Sequence, residues 1–284
     1  MGKLLCVGAV WGASFIFISL ALESYGPMTI AAARVLLAAV VLILLCYPSG
    51  QPLSKEGSNW RRFMVVGLFN SALPFYLINW GMQHISSAEA ALLLATGTFS
   101  AMLLSHLVSV DERINPARAI GVTIGFAGVM VLVVEDLFVL GVGGLKGHFA
   151  LMAAGISYAI SSIMTRRISH LPAISASAGI MLCAGAYLLP LALLFERPLS
   201  VSPTQGAIWS MVMLGTVSTA LAFVIRYQII RKNGAVFMSQ VGYLVPVFGV
   251  LWAWLFLNEP LAIATLVSLA VILVGIAVTR IGSD

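Results

Sequence analysis

The stretch GAVWGASFIF, Gly8 to Phe17, is echoed far downstream by GISYAISSIM, Gly155 to Met164. At an offset of 147 residues, Trp11 aligns with Tyr158. A tryptophan and a serine one helical turn apart stand out in a run that otherwise reads as a plain apolar helix. Their return at a fixed distance therefore predicts an internal repeat.

Other parts of the chain repeat at almost the same distance. The further matches are Ser14 with Ser161, SALPF (71–75) with TALAF (219–223), Glu112 with Glu259, and Gly128 with Gly275. A gap of a single residue in the segments around 88–109 and 234–257 reconciles the offsets. The pattern predicts two copies of one unit, 1–140 and 141–284.

The composition predicts that the solvent of this protein is a lipid bilayer. Of 284 residues, 61% are hydrophobic and 9% are charged, whereas a soluble domain carries about 25% charged residues. A spanning helix needs about 20 apolar residues. Ten segments qualify: 3–22, 27–47, 61–82, 88–109, 116–134, 147–166, 173–194, 206–229, 234–257 and 261–281.

The basic residues predict the orientation of these spans, because lysine and arginine concentrate on the cytoplasmic side. With a cytoplasmic N-terminus, the outside receives only Lys146 and Arg197. The inside receives Lys3, Lys55, Arg61, Arg62, Arg113, Arg118, Arg166, Arg167, Arg231, Lys232 and Arg280. This alternation favours ten spans with both termini cytoplasmic. Five spans per unit is an odd number, so the second unit enters the membrane inverted. The predicted fold is an all-α membrane protein, with two inverted five-helix repeats around a central cavity.

Three motifs resemble the EamA-type branch of the drug/metabolite transporter superfamily: WGASF (11–15), AAARVLLAA (31–39) and PVFGVLWAWLFLNEPL (246–261). The resemblance covers the whole chain. It implies a bacterial inner-membrane exporter or exchanger of small metabolites that works by alternating access. In size and aromatic content the chain is similar to the bacterial aromatic amino acid exporters. The first half departs from the pattern, because Thr98 stands opposite Pro246.

Polar side chains at the centre of a span usually face the protein interior or a cavity. Ser71, Phe75 and Asn79 share one helix face, and Thr219, Phe223 and Tyr227 repeat that pattern. Aromatic walls with scattered hydroxyls and amides suit an amphipathic small molecule. The predicted substrate-binding residues are Trp11, Ser14, Ser71, Phe75, Tyr158, Ser161, Ser162, Thr219, Phe223, Gln240 and Tyr243. Asn79 and Tyr227 are predicted gate positions at opposite rims. Small polar residues also serve helix packing, and serine can bond to its own helix.

Arg34 and Pro246 are predicted to be structural. The resemblance implies an arginine at the position of Arg34 across varied substrates, although a guanidinium within a span can also bind a substrate carboxylate. No span carries a central Asp or Glu, so the sequence leaves proton coupling, exchange and facilitated diffusion open.

The sequence also leaves open functions other than the export of amino acids. Export of cationic drugs calls for a buried carboxylate, and transport of sugar phosphates calls for several buried basic residues. A remote alternative is an intramembrane serine hydrolase at Ser14, but only His106 lies well inside a span as a candidate base. We therefore expect no enzyme activity, catalytic residue, metal or cofactor. The expected partners are a small-molecule substrate and the bilayer, without nucleic acid, and the oligomeric state is left open.

Overall fold

The computed structural model describes residues 1–108, 115–140 and 145–281, and within these ranges it contains helices and turns but no β-strand. The predicted Glu112–Glu259 match and the predicted boundary between the two units at 140/141 involve residues outside these ranges. The helices are α1 (Gly2–Leu22), α2 (Pro27–Cys46), α3 (Gly57–Gly81), α4 (Ser87–Leu94 and Thr96–Val108), α5 (Pro116–Leu140), α6 (Leu145–Thr165), α7 (Ala173–Phe195), α8 (Gln205–Gly215, Thr216–Leu221 and Ala222–Met238), α9 (Val241–Leu257) and α10 (Ile263–Ile281).

Local sequence explains where these helices begin and end. Pro27 opens α2, where its missing N–H costs nothing. A reciprocal capping box between Ser86 and Glu89 opens α4. Near the end of α8, Gly234 has φ 85° and ψ 165°, a backbone conformation that glycine tolerates best. The break predicted at Asn233-Gly234 is therefore present, although helical turns resume as far as Met238.

The described part of the chain has eight helices long and apolar enough to cross a membrane, namely α1 to α8. Two further apolar helices, Val241–Leu257 and Ile263–Thr279, are shorter. The protein is thus an all-helical, multi-pass membrane protein by the length and composition of its helices.

Three of the helices are not the uninterrupted spans that the sequence predicts. Helix α3 widens into a π-helix at Leu68–Ala72, and α8 does the same at Thr216–Leu221. Helix α4 breaks at Ala95, where the Thr96 hydroxyl donates to the Leu93 carbonyl oxygen at 2.6 Å. A side-chain donor on a helix carbonyl competes with the backbone ladder, which explains the break.

Helix α5 packs on α10, α2 packs on α7, and α4 packs on α9. In the first pair, a Cβ at Gly121 would meet Thr279, and a Cβ at Gly128 would meet Ile272. The residue numbers rise along one helix as they fall along the other, so the two helices run antiparallel. Helix α1 packs on α8 and α9, while α6 packs on α3 and α4.

The alternating helix directions bring acidic residues together at one end of the bundle. Here the Glu196 carboxylate accepts from the N–H groups of Met28 and Thr29, and the Glu259 carboxylate accepts from those of Ser87 and Ala88. We call this end, which carries Glu23, Glu89, Asp136, Glu196 and Glu259, the acidic face. The opposite end is the basic face, and it carries Lys3, Lys55, Arg61, Arg62, Arg166, Arg167, Arg231 and Lys232.

Candidate functional site

The two π-helical segments lie at matching places in the predicted repeat. Leu68–Ala72 contains Ser71, and Thr216–Leu221 contains Thr219, 148 residues later. A π-turn places one extra residue in the helix and is common at functional sites. In α8 the Thr219 hydroxyl donates to the Leu214 carbonyl oxygen at 2.8 Å, five residues back along the chain.

Each π-segment receives a hydrogen bond from a helix of the other half. The Trp11 indole Nε1 of α1 donates to the Ser218 carbonyl oxygen at 3.1 Å. The Ser157 hydroxyl of α6 donates to the Phe69 carbonyl oxygen at 2.8 Å. The two donors occupy adjacent places in the predicted repeat, because Ser157 directly precedes Tyr158, the residue that aligns with Trp11. The ring of Trp11 also packs on apolar residues of α1 and α8, among them Val7.

Arg34 lies at the centre of the bundle and is 7% exposed. Its Nε donates to the Thr219 hydroxyl at 2.8 Å, which ties α2 to the π-segment of α8. The guanidinium carbon lies 3.9 Å from the centroid of the Phe75 ring, close enough for a cation–π interaction. The Tyr158 phenol is near enough to interact with Arg34 electrostatically. Four of the predicted residues, from α2, α3, α6 and α8, therefore meet at one place.

A short polar chain joins α3 to α6 beside this centre. The Ser161 hydroxyl donates to the Asn70 side-chain oxygen at 3.0 Å, and the Asn70 amide nitrogen donates to the Ser71 hydroxyl at 3.1 Å. Both serines were predicted, whereas Asn70 and Ser157 were missed. Asn70 adjoins Ser71 in the middle of a span, so its polarity alone was a usable signal.

Several predicted residues make contacts elsewhere. The Ser14 hydroxyl donates to the Val10 carbonyl at 3.3 Å, and the exposed Ser162 donates to the Ala159 carbonyl at 2.7 Å, so both bond to their own helix. The Tyr243 hydroxyl donates to the Ile276 carbonyl oxygen of α10 at 3.0 Å. The remaining two, Gln240 in the turn before α9 and Pro246 buried inside α9, flank this tyrosine along the chain.

The two predicted gate residues lie toward opposite faces. On the side of the acidic face, the buried Asn79 donates from its amide nitrogen to the Pro27 carbonyl at 3.0 Å. Toward the basic face, Tyr227 and Phe223 line a cleft with about 150 Å³ of empty space, next to Ile174 at the start of α7. The guanidinium carbon of Arg226 lies 5.8 Å from the Phe223 ring centroid.

The chemistry of this centre is that of binding. It combines one buried cation, aromatic rings and hydroxyl or amide groups. Among the described residues there is no group of three or more His, Cys, Asp or Glu side chains that could hold a metal ion.

Comparison with known proteins gives the family. The profile of the EamA-like transporter family matches residues 2–134 and 145–281. The uncharacterized transporter YoaV of Bacillus subtilis (strain 168) is 22% identical over 274 residues, which cover 96% of this chain and 94% of that protein. Protein PecM of Dickeya dadantii (strain 3937) is 25% identical over 274 residues, covering 95% of this chain and 89% of that protein.

A solved crystal structure of a protein has the same fold. It superposes with a TM-score of 0.71 at 22% sequence identity, covering 98% of this chain and 95% of the other. The names of these relatives specify no substrate, so the predicted resemblance to aromatic amino acid exporters stays a prediction. The family and the names of the relatives indicate transport rather than an enzymatic reaction. The chain belongs to the EamA-like transporter family.

Proposed function

We propose that the protein is an inner-membrane exporter or exchanger of small amphipathic metabolites, with aromatic or large neutral amino acids as its substrates. Transport proceeds by alternating access between two inverted repeats, 1–140 and 141–284, around a site near the midplane of the bilayer. Membership of a transporter family supports the first part of this proposal. The contacts among the helices and around Arg34 support the rest.

The packing of the helices supports the inverted repeat. An axis that lies in the membrane plane makes each helix antiparallel to its equivalent, and α2/α7, α4/α9 and α5/α10 all pack in this way. The contacts of α1 and α6 also match, since α1 on α8 and α9 corresponds to α6 on α3 and α4. The two π-segments add a third match.

Length and charge support ten spans with cytoplasmic termini. Helix α9 has 17 residues and α10 has 19, which lie within the range of about 17–25 residues that a spanning helix needs. Lysine and arginine dominate the basic face, where α1 begins. The positive-inside rule then assigns the basic face to the cytoplasm and the acidic face to the outside.

We infer the substrate class from the surroundings of the Arg34 guanidinium. Only its Nε donates a hydrogen bond to the described residues, and none of them brings a carboxylate within 4.0 Å of it. An arginine inside a span costs about 2.5–3.5 kcal/mol on insertion scales. A carboxylate fits its planar fork with two parallel hydrogen bonds.

The rings around Arg34 supply the complementary apolar contact. Phe75 covers one face of the guanidinium, and Tyr158 interacts with it electrostatically. Trp11 aligns with Tyr158 in the predicted repeat, and its indole bonds to the π-segment that holds Thr219, the partner of Arg34. A carboxylate on Arg34 and an aromatic or aliphatic side chain against these rings fit two of the three groups of a neutral amino acid, the third being its ammonium group. Organic cations that carry no carboxylate would meet only repulsion from Arg34, which weakens the alternative of cationic drug export.

The cleft between Phe223 and Tyr227 supports a mechanism with moving helices. The cleft holds no space that a water-sized sphere can enter, whereas ligand sites enclose roughly 300–1,000 Å³. The bundle must therefore open toward one face before a substrate reaches Arg34.

The test is uptake into liposomes that contain the purified protein. We expect flux of phenylalanine and leucine, and much weaker flux of phenylalanine amide, which lacks the carboxylate. Losing a charge-assisted pair costs about 1.5–3 kcal/mol, so Arg34→Met should weaken apparent affinity for the acid about 10- to 100-fold and abolish its preference over the amide. Arg62→Met, which removes an exposed arginine at the basic face, is the matched control. Absence of flux for every amino acid would overturn the proposal.

Two further variants test the location of the site. Trp11→Phe keeps an aromatic ring but removes the donor to Ser218, and Tyr158→Leu removes the ring of the other half. Both variants should change the relative uptake rates among amino acids. Thermal unfolding in detergent checks that each variant is still folded. If flux and substrate preference are unchanged in both variants, the site is not where we propose.

A further inference from the structure

Three titratable side chains from three helices meet near the acidic face, away from Arg34. The His148 Nε2 atom, in the first turn of α6, lies 3.4 Å from Asp136 Oδ2, near the end of α5. His148 is 1% exposed and Asp136 is 9% exposed. The pair therefore links α5 to α6, the last helix of one proposed half to the first helix of the other, inside the protein rather than at its surface.

Glu89 joins this pair from α4. One of its carboxylate oxygens accepts from the Ser86 backbone N–H at 2.9 Å, as part of the capping box. The carboxylate also interacts electrostatically with both Asp136 and His148. Ionisable residues within membrane-spanning helices, such as Asp136 and His148, are uncommon and often mark pathways of ions or protons.

Four other charged or titratable residues belong to the segments around the cluster but are exposed, lie outside it or have partners of their own. They are the exposed His84 beyond α3, Glu135 on α5, the exposed Lys146 on α6, and Glu259, which caps α4. Residues 139–144 carry no titratable side chain. The charge of the buried cluster is therefore set by Glu89, Asp136 and His148.

The Oδ2 atom of Asp136 is enclosed and accepts no hydrogen bond from the described residues. A proton on the facing imidazole nitrogen would supply both a donor and an opposite charge to that oxygen. Without such a proton, an ionised Asp136 would lie beside Glu89 in an enclosed site with no opposite charge, which is costly in a medium of low dielectric constant.

We propose that Asp136 and His148 form a proton-binding site, with Glu89 as its third charge, and that its occupancy controls transport. A proton arrives from the solution at the acidic face and binds His148, giving an imidazolium–carboxylate pair that fastens α5 to α6. Its departure returns a neutral imidazole and loosens the junction. Helix α6 also carries Ser157, Tyr158 and Ser161, and residue 158 lies about 15 Å along the helix from His148. A change at this junction therefore reaches the central site through one rigid helix.

The proton site is tested first without substrate. The chain has four histidines, so the ring signals in a histidine-labelled NMR spectrum can be assigned by single His→Gln replacements. We expect Asp136→Asn to shift the titration midpoint of the His148 signal by about one pH unit or more, and Glu89→Gln to shift it less. The signals of His84 and His170, both exposed, serve as internal controls. An unchanged His148 midpoint in Asp136→Asn would overturn the site, whatever the protein transports.

The second arm rests on the proposed function and measures transport in right-side-out vesicles. The rate should depend on external pH between about pH 5 and 8 in the unmodified protein. His148→Gln and Asp136→Asn should flatten that dependence at least several-fold, while His84→Gln, on the same face, should keep it. A pH dependence that survives in His148→Gln refutes control by this site. If no amino acid is transported but the NMR coupling is present, the proton site stands and the substrate assignment fails.

Discussion

Replacing Glu196 with glutamine tests the contact that joins the end of α7 to the start of α2. Its two carboxylate oxygens accept from the backbone N–H groups of Met28 and Thr29 at 2.9 and 2.8 Å. These are among the first N–H groups of α2, which have no partner within their own helix. Glutamine keeps one acceptor oxygen and turns an NH₂ group toward the other N–H, so one donor loses its partner.

The size of the effect follows from these two bonds. A hydrogen bond to a charged acceptor contributes about 1.5–3 kcal/mol. A negative charge at a helix N-terminus adds about 0.3–1 kcal/mol. We therefore expect Glu196→Gln to lower the free energy of unfolding by about 2–4 kcal/mol, which lowers Tm by about 5–10 °C in a chain of this size.

The assay is thermal unfolding of the purified protein in nanodiscs, followed by intrinsic fluorescence. Glu23→Gln is the matched control, because it removes the same charge from the same face. Glu23 is exposed, and its carboxylate accepts no hydrogen bond from the described residues. Equal Tm values for the two variants would refute the role of the Glu196 contact, since charge alone would then explain any change.

The remaining predictions concern packing and backbone geometry, and all are measured as Tm in the same assay. Gly121→Ala should be strongly destabilising, because its Cβ would lie 2.6 Å from the Gly275 carbonyl oxygen, whereas Gly57→Ala, with nothing within 4 Å, should be neutral or slightly stabilising. Gly234→Ala should cost about 1–3 kcal/mol, because φ is 85° there; a neutral result would contradict that backbone conformation. Tyr243→Phe should cost about 0.5–1.5 kcal/mol through loss of the bond to the Ile276 carbonyl, and an unchanged Tm would mean that this bond contributes nothing.

Much of the fold was predictable because a bilayer imposes simple rules on sequence. Apolar length, helix-breaking residues and one-sided basic charge located the helices, and the break at Gly234 coincides with a predicted one. The π-segments were not predictable in the same way. SALPF and TALAF were recognised as a repeat, but nothing in either motif distinguishes a π-turn from an α-turn. The difference depends on bonds between helices, such as that from Trp11 to Ser218.

The candidate site shows the same limit at the level of single residues. Ser71, Tyr158 and Thr219 were predicted to bind substrate, and Arg34 to be structural, because they are polar or aromatic within a span. Ser14 fits the same criterion, yet its hydroxyl bonds to its own helix. Depth in a span is readable from residue counting, whereas the partner of a hydroxyl depends on which helix lies beside it. The neighbouring helix is determined by contacts between residues that are distant in sequence, and a single sequence does not reveal these contacts.

The π-segments also bear on how this protein tolerates insertions and deletions. A π-turn holds about one residue more than an α-turn, so the part of the helix beyond it is rotated by about 100° relative to a regular α-helix. Removing one residue from Leu68–Ala72 would let α3 close into an uninterrupted helix, with Phe75 turned away from Arg34 and the Phe69 carbonyl withdrawn from Ser157. The direction in which the side chains beyond each π-segment point therefore depends on one additional residue, so a deletion there would change which side chains face the centre of the protein without replacing any of them.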